Sequence, residues 1–157
     1  MSLQIGDAAP DFSLPGSPGT DPITLSSFVG EKNVLILFFP LAFTSVCTTE
    51  MCGIRDSYSD YESLDAQVLG ISVDSPFALA AWAKEEGLNF PLLSDFNRGA
   101  SLAYDAQYED LLGFKGVAKR AAFVVDKQGT IRYAEVLEKA SDLPNFEAIR
   151  ESLASLA

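Results

Sequence analysis

The distribution of apolar residues predicts a chain of alternating strands and helices. Residues 34–39 are a continuous apolar run, which is typical of a strand covered on both faces of a sheet, and residues 68–73 predict a second buried strand. Between them, apolar side chains recur at spacings of three or four positions and predict a helix over about residues 45–63. A second helix is expected to begin at Ser75 and Pro76, because proline is well tolerated in the first helical turn.

The second half of the chain predicts further short strands and a C-terminal helix. Residues 121–125 and 131–136 flank the turn sequence Asp-Lys-Gln-Gly, so they are expected to form a hairpin. A helix over about residues 144–156 would carry Phe146, Ile149, Leu153 and Leu156 on one face. A short strand at residues 91–93 and a brief helix at residues 98–103 are expected before the hairpin.

The first 33 residues are rich in proline and glycine and contain two short alternating segments, at residues 11–14 and 23–25. They predict a hairpin or two edge strands. The full order β-α-β-α-β-(α)-β-β-α implies a mixed sheet with helices on both faces. We therefore expect one domain spanning residues 1–157, in the α/β class, with a thioredoxin-like layout and an N-terminal β-hairpin extension.

Charge and residue counts exclude several classes of function. The 157 residues include 22 acidic and 11 basic side chains, a formal net charge of −11, which disfavours binding to nucleic acid or to an anionic membrane. The chain has no histidine, so a Ser-His-Asp or Cys-His catalytic group and imidazole-ligated zinc are excluded. Two cysteines are too few for a zinc site built from thiolates alone.

The sequence contains no pattern that indicates export or membrane insertion. The N-terminal residues lack the basic and apolar regions of a signal peptide, and the longest apolar stretch is interrupted by Pro40. We expect a cytoplasmic protein, whose cysteines would stay reduced.

Cys47 is the candidate reactive residue. It follows a predicted buried strand and falls in the first turn of a predicted helix, where unpaired N–H groups and the helix dipole favour a thiolate. A fast reaction also requires hydrogen-bond donors around the sulfur, which the Thr44 hydroxyl, nearby backbone N–H groups and a cation from elsewhere could supply. The alternative is that Cys47 and Cys52 are small buried apolar residues.

The chain resembles the peroxiredoxin family. The active-site pattern Pro40-x-x-x-Thr44-x-x-Cys47 is similar to that of the family, and the resemblance extends over nearly the whole chain. The further matching segments are Gly6-Asp7-x-Ala9-Pro10-Asp11-Phe12, Leu92-Leu93-Ser94-Asp95 and Arg120-x-x-Phe123-Val124-Val125-Asp126-x-x-Gly129-x-Ile131-Arg132. Residues 38–47 and 90–96 look most like the AhpE-type subgroup, whereas residues 47–56 look more like the bacterioferritin-comigratory (PrxQ) type.

The resemblance implies roles for individual residues. Cys47 would be the peroxidatic cysteine, Thr44 would hydrogen-bond the peroxide and the sulfur, and Pro40 would shield the site. Arg120 would hold the thiolate and polarise the peroxide. Glu50 is a candidate partner for an arginine, with Arg120 as one option, and the alternative is an acid that only stabilises the helix near its N-terminus. The hydroxyl residue that usually follows the arginine in PrxQ-like chains is replaced here by Ala121.

Three aromatic residues are candidates for the walls of the pocket. Phe43 is expected to line the pocket, and Trp82 and Phe77 to line it or a subunit contact. For Trp82 and Phe77, a place in the core is the alternative.

Cys52 is predicted to be the resolving cysteine, although the spacing sets a condition. Five residues in a regular helix correspond to Cα atoms roughly 8.7 Å apart, beyond the ~7 Å limit for a disulfide. A bridge between Cys47 and Cys52 therefore requires the helix to unwind, which Gly53 and the β-branched Thr48 and Thr49 make easier. The alternative is a one-cysteine enzyme that uses an external thiol.

These observations predict a thiol-dependent peroxidase that reduces hydrogen peroxide or organic hydroperoxides, with no metal, haem or flavin. The expected partners are a hydroperoxide and a thioredoxin-like or other thiol reductant, and the resemblance to the family implies a homodimer. A thiol–disulfide oxidoreductase is a first rival, although its usual Cys-x-x-Cys spacing is absent. A non-catalytic redox sensor that passes its oxidation to a partner protein is the second rival.

Overall fold

The computed structural model describes residues 3–156, which form two sheets and five α-helices. In chain order the elements are β1 (Ser13–Leu14), β2 (Ile23–Thr24), a 3-10 helix (Leu25–Phe28), β3 (Asn33–Phe38), α1 (Ser45–Asp56), α2 (Tyr58–Ser63), β4 (Ala66–Ser72), α3 (Pro76–Glu86), β5 (Leu92–Ser94), α4 (Gly99–Ala103), β6 (Arg120–Val125), β7 (Ile131–Leu137) and α5 (Phe146–Ser155).

The central sheet is mixed, with the strand order β5-β4-β3-β6-β7. Strand β3 lies in the middle, parallel to β4 and antiparallel to β6, and all six of its residues are buried. Strands β6 and β7 form the predicted hairpin around residues 126–129. Strands β1 and β2 pair with each other in a separate two-stranded antiparallel sheet, which is the expected N-terminal hairpin.

Alternation along β3 supplies two apolar cores, one on each face of the sheet. Leu35 and Leu37 point to the face that is covered by α1, α2, α3 and α5. Val34 and Ile36 point to the other face, which is covered by α4 and residues of the N-terminal segment. This is the predicted thioredoxin-like arrangement, in which helices flank both faces of the sheet. Within residues 3–156, no helix is both long enough and apolar enough to cross a membrane.

Two predicted helix boundaries were wrong. The single helix expected over residues 45–63 is interrupted at Ser57, whose backbone leaves the helical region at φ −106° and ψ 12°. The break redirects the chain so that Tyr61 of α2 is buried in the same core as Ile54 of α1. The last helix begins at Phe146 and not at Pro144, because the side chain of Asn145 caps it by accepting a hydrogen bond from the Ala148 N–H.

Candidate active site

Cys47 is the third residue of α1 and lies just beyond the carboxyl end of the central strand β3. The helix begins after Thr44, and the Thr48 N–H donates to the Thr44 carbonyl as the first helical hydrogen bond. Cys47 therefore lies in the first turn, at the positive end of the helix dipole, where backbone N–H groups lack partners within the helix. The side chain is only 1% exposed, so a reactant must reach the sulfur through an opening and not across an open surface.

Arg120 is the cation beside this thiol. It is the first residue of β6, next to Ala121, which pairs with Phe38 in β3, so the sheet brings it to the end of β3 where Cys47 lies. Its Nη2 atom is 3.2 Å from the Cys47 Sγ atom, and its Nη1 atom is 2.6 Å from the Glu50 Oε1 atom. Its Nε and Nη2 atoms also donate to the Ala140 carbonyl, at 3.1 and 2.8 Å.

The charges around Arg120 keep the guanidinium protonated. Burial alone would lower its pKa, but Glu50 and Cys47 more than offset that effect, so the pKa of Arg120 is raised. The arrangement therefore places a permanent positive charge in contact with a sulfur atom, which stabilises a thiolate.

Glu50 is buried one helical turn after Cys47, with 1% of its surface exposed. Burial raises the pKa of Glu50 from 4.5 to about 7, although Arg120 acts in the opposite direction. Near neutral pH, Glu50 is thus divided between a carboxylate that pairs with Arg120 and a neutral carboxyl group.

A cavity of about 290 Å³ opens above the thiol. Pro40 and Thr44 line it, as does Arg120, and most of its other walls are apolar. The remaining lining residues are Leu41, Ser45, Val46, Cys47, Leu111, Leu112, Ala140 and Ser141. The Thr44 hydroxyl donates to the Leu41 carbonyl at 2.7 Å, so it is held at the cavity by its own loop and not by the sulfur.

Phe43 and Trp82, which were expected to line the pocket, do not line this cavity. Trp82 is fully buried in the core, where its ring centroid is 5.3 Å from that of Phe39. Phe43 is 55% exposed, and its ring centroid is 6.3 Å from that of Trp82. Phe77, the third aromatic candidate, lies on α3 and is 72% exposed. It is therefore outside the core and accessible for a subunit contact.

Three features of the site were not anticipated from the sequence. Asp74, which follows β4, accepts hydrogen bonds from the Ala42 N–H at 2.8 Å and from the Ser72 hydroxyl at 2.6 Å, and so anchors the loop before Cys47. Its place after the neighbouring parallel strand could have indicated this role. The Ala140 carbonyl and the two leucines, Leu111 and Leu112, come from irregular segments, and no sequence pattern marks them.

Cys52 is a free thiol on the same helix as Cys47. It is half-buried, and its Sγ atom donates to the Glu86 Oε2 atom of α3 at 3.3 Å. Burial and the hydrogen bond to Glu86 raise the pKa of Cys52. Because α1 is continuous over Ser45–Asp56, a bridge between the two sulfurs requires part of this helix to unwind.

The chain is similar in sequence to known proteins. A family model described as AhpC/TSA matches residues 5–134. The chain is 43% identical to alkyl hydroperoxide reductase E of Mycobacterium tuberculosis over 136 residues, which are 85% of this chain and 86% of that protein. It is 40% identical to the putative peroxiredoxin ycf42 of Porphyra purpurea over 143 residues, 85% of this chain and 69% of that protein.

The structure is also similar to solved structures. The crystal structure of peroxidoxin BcpB from Mycobacterium tuberculosis has a TM-score of 0.87 and 29% sequence identity, over 99% of each chain. Mycobacterium tuberculosis AhpC has a TM-score of 0.82 and 31% identity, over 99% of this chain and 94% of that one. The family model, the relatives and the shared fold lead to one conclusion: this chain belongs to the AhpC/TSA family of peroxiredoxins.

Proposed function

We propose that Cys47 carries out the thiol-dependent peroxide reduction of this family, as the nucleophile that attacks the O–O bond of a hydroperoxide. The observation that supports this most directly is the 3.2 Å contact between the Arg120 Nη2 atom and the Cys47 Sγ atom at the base of the cavity. A charged guanidinium in this position can stabilise the thiolate and then the negative charge that develops on the peroxide oxygens.

In the first step, the thiolate sulfur bonds to one peroxide oxygen as the O–O bond breaks. The other oxygen takes a proton from solvent and leaves as water or an alcohol, and Cys47 becomes a sulfenic acid. An ordinary thiol is roughly 3% ionised at pH 7, so ionisation alone raises a rate only about 30-fold. Positioning by Arg120, by the N–H groups of the first turn of α1 and by Thr44 must supply the rest.

In this proposal, Pro40, Thr44 and Glu50 have supporting roles around the sulfur. Pro40 would shield the sulfur from water, and Thr44 would turn its hydroxyl from the Leu41 carbonyl toward the peroxide when substrate enters. Glu50 would position Arg120 through their 2.6 Å contact.

Cys52 would complete the cycle by attacking the sulfenic acid on Cys47 to form an intramolecular disulfide. Both thiols are free and lie on one helix, five residues apart. A thioredoxin-like protein or another thiol donor would then reduce the disulfide. A cytoplasmic location, where such donors are abundant, and a homodimer are parts of the same proposal.

The experiment that tests the function is stopped-flow reaction with hydrogen peroxide, comparing the wild type with Cys47→Ser. We expect the serine variant to fold and to lose the reaction, because the change is nearly isosteric and removes the activated nucleophile. Cys52→Ser is the matched control, and it should react with the first equivalent of peroxide at nearly the wild-type rate. A Cys47→Ser variant that retained more than a few per cent of the rate would contradict the assignment of the nucleophile.

The hydrogen bond from Cys52 to Glu86 favours one second candidate, a one-cysteine peroxidase in which Cys52 is only structural. Mass spectrometry after one equivalent of peroxide separates the two candidates. A loss of two hydrogens indicates the Cys47–Cys52 bridge. A gain of one oxygen, or a dimer linked through Cys47, indicates that an external thiol is required.

A further inference from the structure

The Cys52 thiol faces a carboxylate that the peroxide-reacting step does not use. Glu86 is the last residue of α3, and its Oε2 atom accepts a hydrogen bond from the Cys52 Sγ atom at 3.3 Å. The cavity above Cys47 is lined by other residues, so Glu86 lies outside the peroxide site. A carboxylate oxygen within reach of a thiol proton has the geometry of a general base.

Further contacts hold this part of α1 against the end of α3. The Arg55 guanidinium donates to the Glu86 backbone carbonyl, and the Asn89 side chain donates to the Arg55 carbonyl at 3.3 Å. Together with the Cys52–Glu86 contact, they hold Cys52 beside the end of α3. When α1 unwinds, we therefore expect Cys47 to move toward a Cys52 that stays beside Glu86.

The charged groups around Cys52 leave its thiol protonated in the reduced protein. Burial and Glu86 raise the pKa of Cys52, and Asp56 adds to this effect, while Arg55 acts in the opposite direction. Since the thiolate is the form that attacks a sulfenic acid, a protonated Cys52 must lose its proton as it reacts.

We propose that Glu86 is the proton acceptor for Cys52 in disulfide formation, a catalytic residue for the second half of the cycle. This inference rests on the proposed resolving role of Cys52. In the step, the Cys52 sulfur bonds to the Cys47 sulfur as the S–O bond of the sulfenic acid breaks. Glu86 takes the Cys52 proton, and the oxygen leaves as hydroxide, which takes a proton from solvent to become water. Glu86 then releases its proton to solvent, which restores the carboxylate. The Cys52 sulfur is oxidised and the Cys47 sulfur is reduced, so one disulfide and one water form.

The test follows disulfide formation in a single turnover of the full chain with one equivalent of hydrogen peroxide, by acid quench and mass spectrometry. Glu86→Gln should form the bridge about 100-fold more slowly at pH 7, at the low end of the usual contribution of a general base. Its rate should rise with pH into the alkaline range, where hydroxide replaces the lost base. The initial reaction of Cys47 with peroxide should keep its wild-type rate, which also shows that the variant is folded.

Two further variants make the result specific. Glu85→Gln makes the same change at the adjacent, exposed position of α3 and should leave bridge formation unchanged. Glu86→Asp keeps a carboxylate and should recover most of the rate and the wild-type pH profile.

The contrary outcomes are distinct. If Glu86→Gln forms the bridge as fast as the wild type, or faster with its pH profile moved downward, Glu86 does not accept the proton and this inference is overturned. If the wild type consumes peroxide but forms no Cys47–Cys52 bridge, Cys52 is not the resolving cysteine and the proposed role of Glu86 is wrong as well. That outcome would not contradict peroxide reduction by Cys47.

Discussion

Arg120 contacts three different groups through one rigid guanidinium. Nη2 faces the Cys47 sulfur and the Ala140 carbonyl, Nη1 faces Glu50, and Nε faces the same carbonyl. A planar group with five N–H donors can make these contacts at fixed angles, whereas an ammonium group offers three donors on a flexible stem. The geometry of the side chain, as well as its charge, thus holds the site together.

Arg120→Lys is therefore expected to lose most of the rate of the first step, although the charge is kept. The lysine would leave at least one buried partner, Glu50 or the Ala140 carbonyl, without its donor. Stopped-flow measurement of the second-order rate constant with hydrogen peroxide should show a loss of at least about 10-fold, corresponding to one lost hydrogen bond to a charged group. Equal rates for lysine and arginine would mean that only the charge matters.

Glu50 makes the stability of the fold depend on pH. Its pKa is about 7 in the folded protein, against an ordinary 4.5, so the folded state binds its proton more tightly than the unfolded state does. The corresponding stabilisation is fully present below about pH 4.5 and is lost as the pH rises through about 7.

Glu50→Gln removes this titration and supplies the test. The free energy of unfolding of the wild type, relative to that of Glu50→Gln, should fall by about 3 kcal/mol between pH 4.5 and pH 7.5. Urea denaturation of both proteins across this range measures the difference. A wild type that gains stability relative to the variant as the pH rises would show that the Arg120 ion pair outweighs burial.

At the scale of an element, α1 meets two opposing requirements. As an intact helix it holds Cys47 in its first turn, at the positive end of the helix dipole, and positions Glu50 against Arg120. As an unwound segment it would allow Cys47 to reach Cys52. Gly53 lies on the exposed side of this helix, and a Cβ atom at this position would meet no atom within 4 Å. The glycine therefore weakens the helix without serving a packing role.

Gly53→Ala should stabilise α1 by about 1 kcal/mol and slow formation of the Cys47–Cys52 bridge about 5-fold. The rate of the first reaction with peroxide should not change, because the intact helix already presents the thiol. Single-turnover mass spectrometry measures both steps, and circular dichroism of the oxidised wild type should show a loss of helix signal. Bridge formation that is unaffected by the alanine would mean that unwinding of this part of α1 does not limit the step.

At the scale of the whole molecule, the exposed apolar side chains and the net charge act in opposite directions on self-association. Phe43, Phe77, Leu112 and Phe114 are each more than half exposed, and such surface favours contact with a partner. The net charge of −11 on each chain opposes association of two copies.

The proposed homodimer should therefore be stabilised by salt. Raising the ionic strength from about 0.05 M to about 0.5 M shortens the Debye length roughly 3-fold and screens the repulsion between chains. Sedimentation equilibrium should show a several-fold fall in the dimer dissociation constant over this range. A chain that remains a monomer at every salt concentration would contradict the dimer.

The local sequence determined most of the elements. The apolar run at residues 34–39, ended by Pro40, favoured a covered strand, and the Asp-Lys-Gln-Gly sequence predicted the turn between β6 and β7. The position of Cys47 after a strand and at the start of a helix was equally visible, because periodicity and capping are properties of neighbouring residues. The break at Ser57 was not visible, because an amphipathic pattern continues through it and the packing of Tyr61 decides where the chain turns.

Only the tertiary structure decided which distant groups meet. Cys47 and Arg120 are 73 positions apart, and they touch because β6 pairs antiparallel with β3, so the start of one strand lies at the end of the other. Glu86 reaches Cys52 because α3 packs its last turn against α1, and Ala140 supplies a backbone carbonyl that any residue could have carried. The sequence by itself indicated the kind of chemistry, because it has no histidine and places one of its two thiols, Cys47, in the first turn of a helix. The chain fold placed the proposed proton acceptor, Glu86, beside Cys52 and fixed the hydrogen-bond geometry around Cys47, because both depend on contacts between segments far apart in the sequence.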